Sequence, residues 1–533
     1  MAEGFKDNQI LELKDTVIQL NQTIAALNTL IVSLQKTITD QEQELRLLRE
    51  EKETLIKKIF GTSSERMKDT PGQISLFDEA EQEYDPDATS SDDAIPVKEH
   101  TRKAKATNKE KFSGLPVHEV VLTLPEGAMN CPVCGTELEV IGKEHIRDEI
   151  EFIPAEVRVI SYYRNTYGCP NCKKNSDEVY ITKPELPEAL IPHSFASPSS
   201  VAWTMYQKYA NAVPLYRQEK DWAQAGIKLS RSTLANWIIH CAMNYFKPVY
   251  DYLHRELLKR KFLMADETRV QVLHEPGRNP ETDSFMWLFR TGEDGLPVII
   301  LYGYTETRAK YNAVEFLKGF SGYLETDGYQ GYNDLPGIRR CCCWAHVRRY
   351  FFEAIPKGKK DDLSEPAVQA VHYCDKLFAF EQKANDTCKT HEARKQYRLQ
   401  KEQPVLEAFF SWLEKQQAGK GSFGKAVAYA MNRREFLMTY LEDGRCSFSN
   451  NLSENAIRPF TLGRKNWLFS DTPKGAEASA VVYSMVEMAR NHGLNIFKYL
   501  NYLLVNRPSE KMTDEELAAF VPWDERIRQI CKN

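Results

Sequence analysis

The chain has 533 residues, 42% of them hydrophobic, and a formal net charge of −5. This length allows several domains with their own cores. The slightly negative net charge does not by itself indicate a nucleic-acid partner. The first residues lack the basic and apolar regions of a signal peptide, and no apolar run approaches the roughly 20 residues that span a bilayer. We therefore expect a cytoplasmic chain without a membrane partner, whose 12 cysteines are to be tested first as metal ligands.

Apolar residues in residues 10–59 recur at alternating intervals of three and four. Ile and Val stand mostly at the a positions and Leu at the d positions, which favours a parallel two-stranded coiled coil. A single buried amphipathic helix is the alternative, but it rarely sustains the pattern for about seven heptads. We predict a dimerising coiled coil at 1–62 and a flexible, charged linker at 63–112. The heptad residues are Ile10, Leu13, Val17, Leu20, Ile24, Leu27, Ile31, Leu34, Ile38, Leu45, Leu48, Leu55 and Ile59.

Two Cys-x-x-Cys pairs follow the linker. Cys131 and Cys134 form the first pair, and Cys169 and Cys172 form the second. Each pair offers two thiolates from one tight turn, and two such turns complete a tetrahedral zinc site. The segment between them alternates like a β-hairpin. We predict a zinc-ribbon-like domain at 113–190 with one structural zinc; redox dithiols are the alternative.

Helical patterns fill residues 191–257. Segments 214–225 and 230–240, separated by a glycine, resemble a helix-turn-helix. Arg231 and Asn236 would lie near the start of the second helix, where base edges are read. An ordinary helical hairpin explains the pattern equally well.

From residue 258 the pattern changes to short apolar runs typical of strands. A mixture of these strands with helices predicts an α/β core with a mixed sheet. We place the first part of this core at 258–355, a helical insertion at 356–444, the second part at 445–492 and a small helical region at 493–533, in which Thr513 and Glu516 predict a capping box. The predicted strands begin at Phe262, Ser284, Pro297, Gly322 and Arg339.

Two of these strands end on an acid, Asp266 and Asp327. If the strands are neighbours, the two carboxylates converge, and Glu454 on a nearby helix could be the third. Three carboxylates suit magnesium or manganese, and two such ions can catalyse an in-line phosphoryl displacement. Glu325 is a rival of Asp327 on the same strand face. Weaker rivals of Asp266 are Glu267 and Asp283.

Glu454 lies in a stretch that runs from Ser449 to Phe469. Asn450 is predicted to cap a helix that carries Glu454, and Pro459 is expected to discourage its continuation. Basic residues follow, and they are candidates for contacts to backbone phosphates of DNA. They are Arg458, Arg464 and Lys465.

Five motifs resemble those of the DDE transposases of the insertion-sequence family numbered sixty-six. They are Ala-Asp-Glu-Thr at 265–268, Thr-Asp-Gly-Tyr-Gln-Gly-Tyr at 326–332, Cys-Trp-Ala-His-Val-Arg-Arg-Tyr-Phe at 343–351, Asn-Asn-Leu-Ser-Glu-Asn-Ala-Ile-Arg-Pro at 450–459 and Gly-Arg-Lys-Asn-Trp-Leu-Phe at 463–469. The order of segments along the chain is also similar.

The resemblance implies an RNase-H-like catalytic core in which Asp266, Asp327 and Glu454 bind two magnesium or manganese ions. It further implies hydrolysis of phosphodiester bonds at the ends of an insertion sequence and joining of the freed 3′-hydroxyls to target DNA, by a bacterial protein associated with the nucleoid. Two small accessory proteins of the same element are expected partners. His346 is a candidate for active-site support, although a purely structural role explains it at least as well, and Arg349 is a candidate for DNA contact.

Two other functions fit parts of the sequence. A zinc-containing, sequence-specific DNA-binding regulator with an inactive core would use the zinc segment and the helices, although all three acids are present. A coiled-coil scaffold would leave Asp266 and Asp327 unexplained.

Overall fold

A computed structural model describes the C-terminal two thirds of the chain and pieces of the rest. The described residues are 188–416 and 419–533, with 19–38, 159–163, 167–168, 181–182 and single positions at 17, 41 and 157. Within these ranges, no helix is both long enough and apolar enough to cross a membrane.

Residues 19–38 form a continuous helix. The heptad residues on it, together with Val17, are between 49% and 57% exposed. An open stripe of this kind is what a partner helix would cover in a coiled coil, and the pairing itself stays a prediction. The other predicted heptad positions lie outside the described residues. The heptad residues with measured exposure are Val17, Leu20, Ile24, Leu27, Ile31, Leu34 and Ile38.

Two short antiparallel strands, β1 (Tyr167–Gly168) and β2 (Ile181–Thr182), flank the second cysteine pair in the sequence. The four cysteines themselves lie outside the described residues.

A helical layer precedes the main sheet and ends at residue 258, and its second and third helices lie where the sequence predicts a pair of helices. The turn between them contains Gly226 with φ +91°, a conformation that favours glycine. Ser230 caps the third helix by accepting a hydrogen bond from the Thr233 N–H at 3.2 Å. A π-helical turn (Ala242–Phe246) then leads into the fourth helix. The helices are α1 (Pro198–Tyr209), α2 (Leu215–Gln224), α3 (Arg231–Cys241) and α4 (Lys247–Leu258).

The main sheet is mixed, as predicted. Its strand order is β5-β4-β3-β6-β7; β3, β4 and β5 are antiparallel, and β6 and β7 run parallel to β3. A short strand, β8, extends this sheet by pairing with the end of β3, which the sequence did not predict. The strands are β3 (Phe262–Val272), β4 (Asp283–Thr291), β5 (Ile300–Thr305), β6 (Gly322–Thr326), β7 (Ile338–Cys342) and β8 (Phe469–Ser470).

The prediction that Asp266 ends its strand is wrong. Strand β3 continues to Val272, because β4 pairs with it from Leu263 to Gln271. The parallel pairing with β6, however, stops at Met264. Asp266 therefore lies two residues beyond the last β3–β6 pair and before the pairing with β8 begins at Gln271. Asp327 directly follows β6, as predicted.

Helices alternate with and follow the strands. They are α5 (Lys310–Phe316), α6 (Trp344–Glu353), α7 (Pro366–Thr387), α8 (His391–Lys401), α9 (Gln403–Glu414), α10 (Ser422–Met431), α11 (Arg434–Met438), α12 (Asn451–Trp467), α13 (Pro473–Asn491), α14 (Ile496–Asn506), α15 (Asp514–Leu517) and α16 (Glu525–Ile530).

Two apolar cores lie on opposite faces of the sheet. Alternate side chains of β3 enter each core: Leu263 and Ala265 join helices α1–α4 and α12–α14, whereas Phe262 and Met264 join helices α6–α11. This alternation follows from the two-residue period of a strand. The helices between β7 and α12 thus build a second core against one face of the sheet.

Two local predictions for the last third of the chain have clear outcomes. Helix α12 runs through Pro459, so the expected break is wrong: its apolar face, including Ile457 and Phe460, is buried and stabilises the helix on both sides of the proline. The capping box of Thr513 and Glu516 is confirmed.

Candidate metal centre of three carboxylates

Asp266, Asp327 and Glu454 lie near the end of the sheet where β6 ends. Asp266 is on β3, Asp327 follows β6 and Glu454 is in the first turn of α12. Burial and then the charges of Glu267, Asp327 and Glu454 raise the pKa of Asp266, so Asp327 and Glu454 both lie within electrostatic reach of Asp266. The structure therefore brings together residues that lie 61 and 127 positions apart along the chain.

Asp266 is the most enclosed member of this group. Burial is the largest cause that raises its pKa well above the ordinary value, and the charges of Glu267, Asp327 and Glu454 raise it further. The backbone N–H of Glu267 donates to Asp266 Oδ1 at 2.9 Å and opposes the shift. A desolvated carboxylate among other carboxylates is stabilised by a cation, which removes their mutual repulsion.

Glu454 faces two basic side chains of α6. Its Oε1 lies 3.7 Å from His346 Nε2, and its Oε2 lies 3.6 Å from Arg349 Nη2. Both distances are too long for hydrogen bonds. Burial lowers the pKa of His346 and outweighs the opposing effect of Glu454. The basic groups beside Glu454 therefore come from α6.

Asn450 fixes the start of α12 against β3. Its side-chain Nδ2 donates to the carbonyl oxygen of Ala265 at 3.0 Å, and the residue is fully buried. Its Oδ1 accepts a hydrogen bond from Ser453. Asn450 is the N-cap residue of α12, as predicted, but the expected capping bond is wrong, since its side chain accepts from no helical backbone N–H. The side chain instead ties the helix of Glu454 to the residue before Asp266.

Other elements hold the same segment in place. In the insertion, Arg398 is fully buried and donates to the carbonyl oxygen of Cys446 at 2.9 Å. The backbone N–H of Trp344 donates to the Phe448 carbonyl oxygen at 3.1 Å. Arg290 on β4 donates to the Leu452 carbonyl oxygen at 2.8 Å. The approach to Glu454 is therefore anchored both to the sheet and to the insertion.

A second network surrounds Glu267, on the opposite face of β3. Arg308 Nε donates to Glu267 Oε1 at 2.7 Å, and Tyr332 donates to Glu267 Oε2. Arg308 also lies over the ring of Tyr329 at 3.6 Å and reaches within 3.9 Å of Asp327 Oδ2. Both oxygens of Glu267 are engaged, which weakens it as a rival of Asp266. Sequence reasoning missed Arg308, since no motif links it to the acids.

The two other rivals are not among the charges that shift the pKa of Asp266. Glu325 is fully buried, neither of its oxygens has a hydrogen-bond partner among the described residues, and its charge interacts with Arg340. Burial raises its pKa well above the ordinary value. Asp283 pairs with Gln271, five residues beyond Asp266, and is 3.1 Å from the exposed Arg269.

The proposed DNA contacts are spread over several surfaces. Arg231 and Asn236 are exposed on α3, while the apolar face of this helix packs into the core. Arg458 and Lys465 are exposed on α12. Arg464 donates to a backbone carbonyl of β3, so its guanidinium also connects α12 to the sheet. Of the proposed DNA contacts, the structure places Arg349 directly beside one of the acids.

Comparison with known families gives the class of this protein. The family described as the transposase IS66 family matches residues 193–478, more than half of the chain and all three acids. The zinc-finger binding domain of transposase IS66 matches residues 129–173, which contain the four paired cysteines. A third family, described as transposase C of IS166 homeodomain, matches residues 47–120.

These matches identify a transposase-type chain with a zinc-binding segment, and the chain belongs to the IS66 transposase family. The family resemblance found in the motifs is confirmed. Similar proteins include the uncharacterized proteins y4qI and y4hP of Sinorhizobium fredii (strain NBRC 101917 / NGR234), which are 28% and 27% identical over 75% of this chain and 74% of their own lengths.

Proposed function

We propose that this protein is a DNA transposase that cleaves phosphodiester bonds at the ends of an insertion sequence and joins the 3′-hydroxyl ends to target DNA. The observation that carries the proposal is that Asp327 and Glu454 both lie within electrostatic reach of the buried Asp266, in a chain of a transposase family. The strand order, with three antiparallel strands followed by two parallel ones, supports an RNase-H-like assignment of the core.

The donor set fits two magnesium or manganese ions. All three side chains offer the hard oxygen ligands that these ions prefer, and the group is partly open to solvent, since Glu454 is 33% exposed. Asp266, Asp327 and Glu454 would hold the ions. When bound, such ions activate a nucleophile and stabilise the leaving oxygen of an in-line displacement.

The chain's own residues would position this chemistry. Asn450 sets the distance between α12 and β3, and Arg308 lies close to Asp327 while it neutralises Glu267. Arg349 attracts Glu454 electrostatically before DNA binds. Burial lowers the pKa of His346 and so favours the neutral ring, which can accept a hydrogen bond from water near the acids.

DNA is the proposed partner of the exposed basic groups. Arg458 and Lys465 lie on the helix that carries Glu454, and contacts of this kind to phosphates position DNA without reading its sequence. Arg231 and Asn236 are proposed to contact DNA from α3. Arg349 and Arg464 would add positive charge near the acids. Two small accessory proteins of the same element remain proposed partners.

Two protomers would cooperate through the N-terminal coiled coil, each serving one DNA end. The open apolar stripe of helix 19–38 supports this pairing. Deleting residues 1–60 should reduce the mass of the protein in solution to that of a single chain. An unchanged mass would contradict the coiled-coil assignment.

The catalytic test compares cleavage of a DNA end by the wild-type protein and by Asp327→Asn, with magnesium or manganese. Asparagine keeps the size of the side chain and removes the charge, so cleavage should fall to background while DNA binding stays. Glu325→Gln is the matched control: it changes a buried carboxylate on the preceding strand whose charge is not among those that shift the pKa of Asp266, and it should keep cleavage.

Equal cleavage by the wild-type protein and Asp327→Asn would refute the proposed triad. Binding of the DNA end without any cleavage by the wild-type protein would support a DNA-binding regulator with an inactive core.

A further inference from the structure

A thiol and an imidazole lie close to Glu454, one of the three acids. Cys343 is the residue before α6, His346 lies in the first turn of that helix and Glu454 reaches them from α12. One sulfur, one ring nitrogen and one carboxylate oxygen of these residues lie within 4.8 Å of one another. Cys343 and His346 form a Cys-x-x-His pair, so one helix start supplies two ligands.

The ligand atoms are spaced for a metal ion and poorly spaced for hydrogen bonds. His346 Nε2 and Glu454 Oε1 are 3.7 Å apart. Two ligands of one tetrahedral zinc ion lie roughly 3.3–3.8 Å apart, given bonds of about 2.0–2.3 Å. In the described part of the chain, His346 Nδ1 and Glu454 Oε1 are buried atoms without a hydrogen-bond partner. Shifts of about 1 Å would close the set around zinc.

The surroundings of Cys343 can support a metal-bound sulfur. Its side chain is fully buried, and its Sγ accepts a hydrogen bond from the backbone N–H of Asn450 at 3.1 Å. Burial raises the pKa of the Cys343 thiol, so the metal-free site holds a thiol, while the Asn450 N–H acts in the opposite direction and favours the thiolate. Ions reach the site from the side of Glu454, which is 33% exposed, and His346, which is 18% exposed.

The sulfur and imidazole ligands of this site favour a different metal ion from the one that three carboxylates favour. Magnesium and manganese prefer oxygen, whereas a set of one thiolate, one imidazole and one carboxylate suits zinc. Three protein ligands leave a fourth position for water.

We infer that Cys343, His346 and Glu454 form an inhibitory zinc site that withdraws Glu454 from the proposed catalytic centre. Zinc binding forms bonds to the Cys343 sulfur, a His346 nitrogen and a Glu454 oxygen, and it releases the thiol proton to solvent. Glu454 cannot then complete the magnesium centre with Asp266 and Asp327. The inhibitory role rests on the proposed transposase function, but the binding of zinc does not.

Binding is tested on the full-length protein by equilibrium dialysis with zinc and by the sulfur-to-cobalt absorption of cobalt-loaded samples. Cys343→Ala should bind one equivalent of zinc fewer than the wild-type protein and lose part of this absorption. Cys374→Ala removes another buried cysteine, on α7, and should match the wild type. His346→Gln should weaken zinc binding at least about tenfold, since losing even a supporting partner of a ligand costs about 10–100-fold.

Inhibition is tested by adding zinc to magnesium-supported cleavage, with each variant compared with its own zinc-free rate. Cys343→Ala and His346→Gln should need at least about tenfold more zinc for half-inhibition than the wild type and Cys374→Ala.

Equal zinc stoichiometry and equal cobalt spectra in the wild type, Cys343→Ala and His346→Gln would overturn the site. Zinc binding that leaves cleavage unchanged would overturn its inhibitory role. If Cys343→Ala does not fold, the comparison of His346→Gln with the wild type decides. A wild-type protein that never cleaves DNA would refute the proposed function, while the binding data would still decide the zinc site.

Discussion

The contact between Asn450 and Ala265 makes a sharp prediction, because it joins the helix of Glu454 to the strand of Asp266. In Asn450→Ala, the buried Ala265 carbonyl loses the donor that now lies 3.0 Å away, and Ser453 loses an acceptor. The backbone N–H of residue 450 can still donate to Cys343. The substitution therefore loosens α12 on β3 without removing any of the three acids.

The expected loss of stability is about 1–3 kcal/mol, the cost of leaving one buried polar group without its partner. The substitution should also slow cleavage, because it displaces Glu454. A displacement of about 1 Å in a catalytic group can reduce the rate about 100-fold, and Asn450 lies one helical turn before Glu454. We therefore expect cleavage to fall by about 10–100-fold at temperatures where the variant is fully folded.

The assay combines urea unfolding followed by circular dichroism with magnesium-dependent cleavage of a DNA end. Asn455→Ala is the matched control, since Asn455 is exposed on the same helix, and its unfolding free energy should stay within about 0.5 kcal/mol of the wild type. A folded Asn450→Ala protein with wild-type cleavage would refute the positioning role. Unchanged stability would refute the energetic importance of the contact.

Three further predictions concern stability and metal. Burial raises the pKa of Glu402 to about 8, so the contribution of this group to stability is fully present below the unfolded pKa of about 4.3 and is lost as pH rises through the folded pKa. The glutamine in Glu402→Gln does not titrate, so the stability of this variant relative to the wild type should grow between these two pH values in unfolding titrations. A constant difference would contradict the shift. A Cβ at Gly463 would collide with Trp467 and Tyr483, so Gly463→Ala should lower the unfolding free energy by about 1–3 kcal/mol, whereas Gly475→Ala, which meets nothing closer than 3.4 Å, should not. Removing zinc with a chelator should open residues 129–173 to limited proteolysis, and Cys131→Ala should be cut in the same way without chelator; equal protection with and without zinc would argue against a structural ion.

The strands and helices of the core follow closely from local sequence. Apolar runs predicted β4 near Ser284 and β6 at Gly322, and the structure has them at Asp283–Thr291 and Gly322–Thr326. The sequence predicted strand boundaries less well where pairing with a neighbouring strand sets them. Strand β3 outlasts its apolar run because β4 continues beside it, and β8 exists only because Phe469 meets Gln271.

For the acids, too, local sequence predicted one part and the tertiary structure decided another. Their residue type and position after apolar runs singled out Asp266 and Asp327, Glu454 was the candidate third ligand on a predicted helix, and the family motifs implied the same three residues. Local sequence could not separate Glu325 from Asp327, because both obey the same two-residue period. Burial separates them: Glu325 is fully enclosed, whereas Asp327 remains 28% exposed.

The sequence alone determined the order of the segments, the four paired cysteines, the mixed sheet and the choice of the three acids as candidates, because these depend on residue type and short-range spacing. Only the tertiary structure decided how the acids are held. The Asn450–Ala265 contact spans 185 positions, Arg308 reaches Glu267 across 41, and Glu454 faces His346 on a different helix. Such contacts depend on the packing of distant elements, which no local pattern encodes.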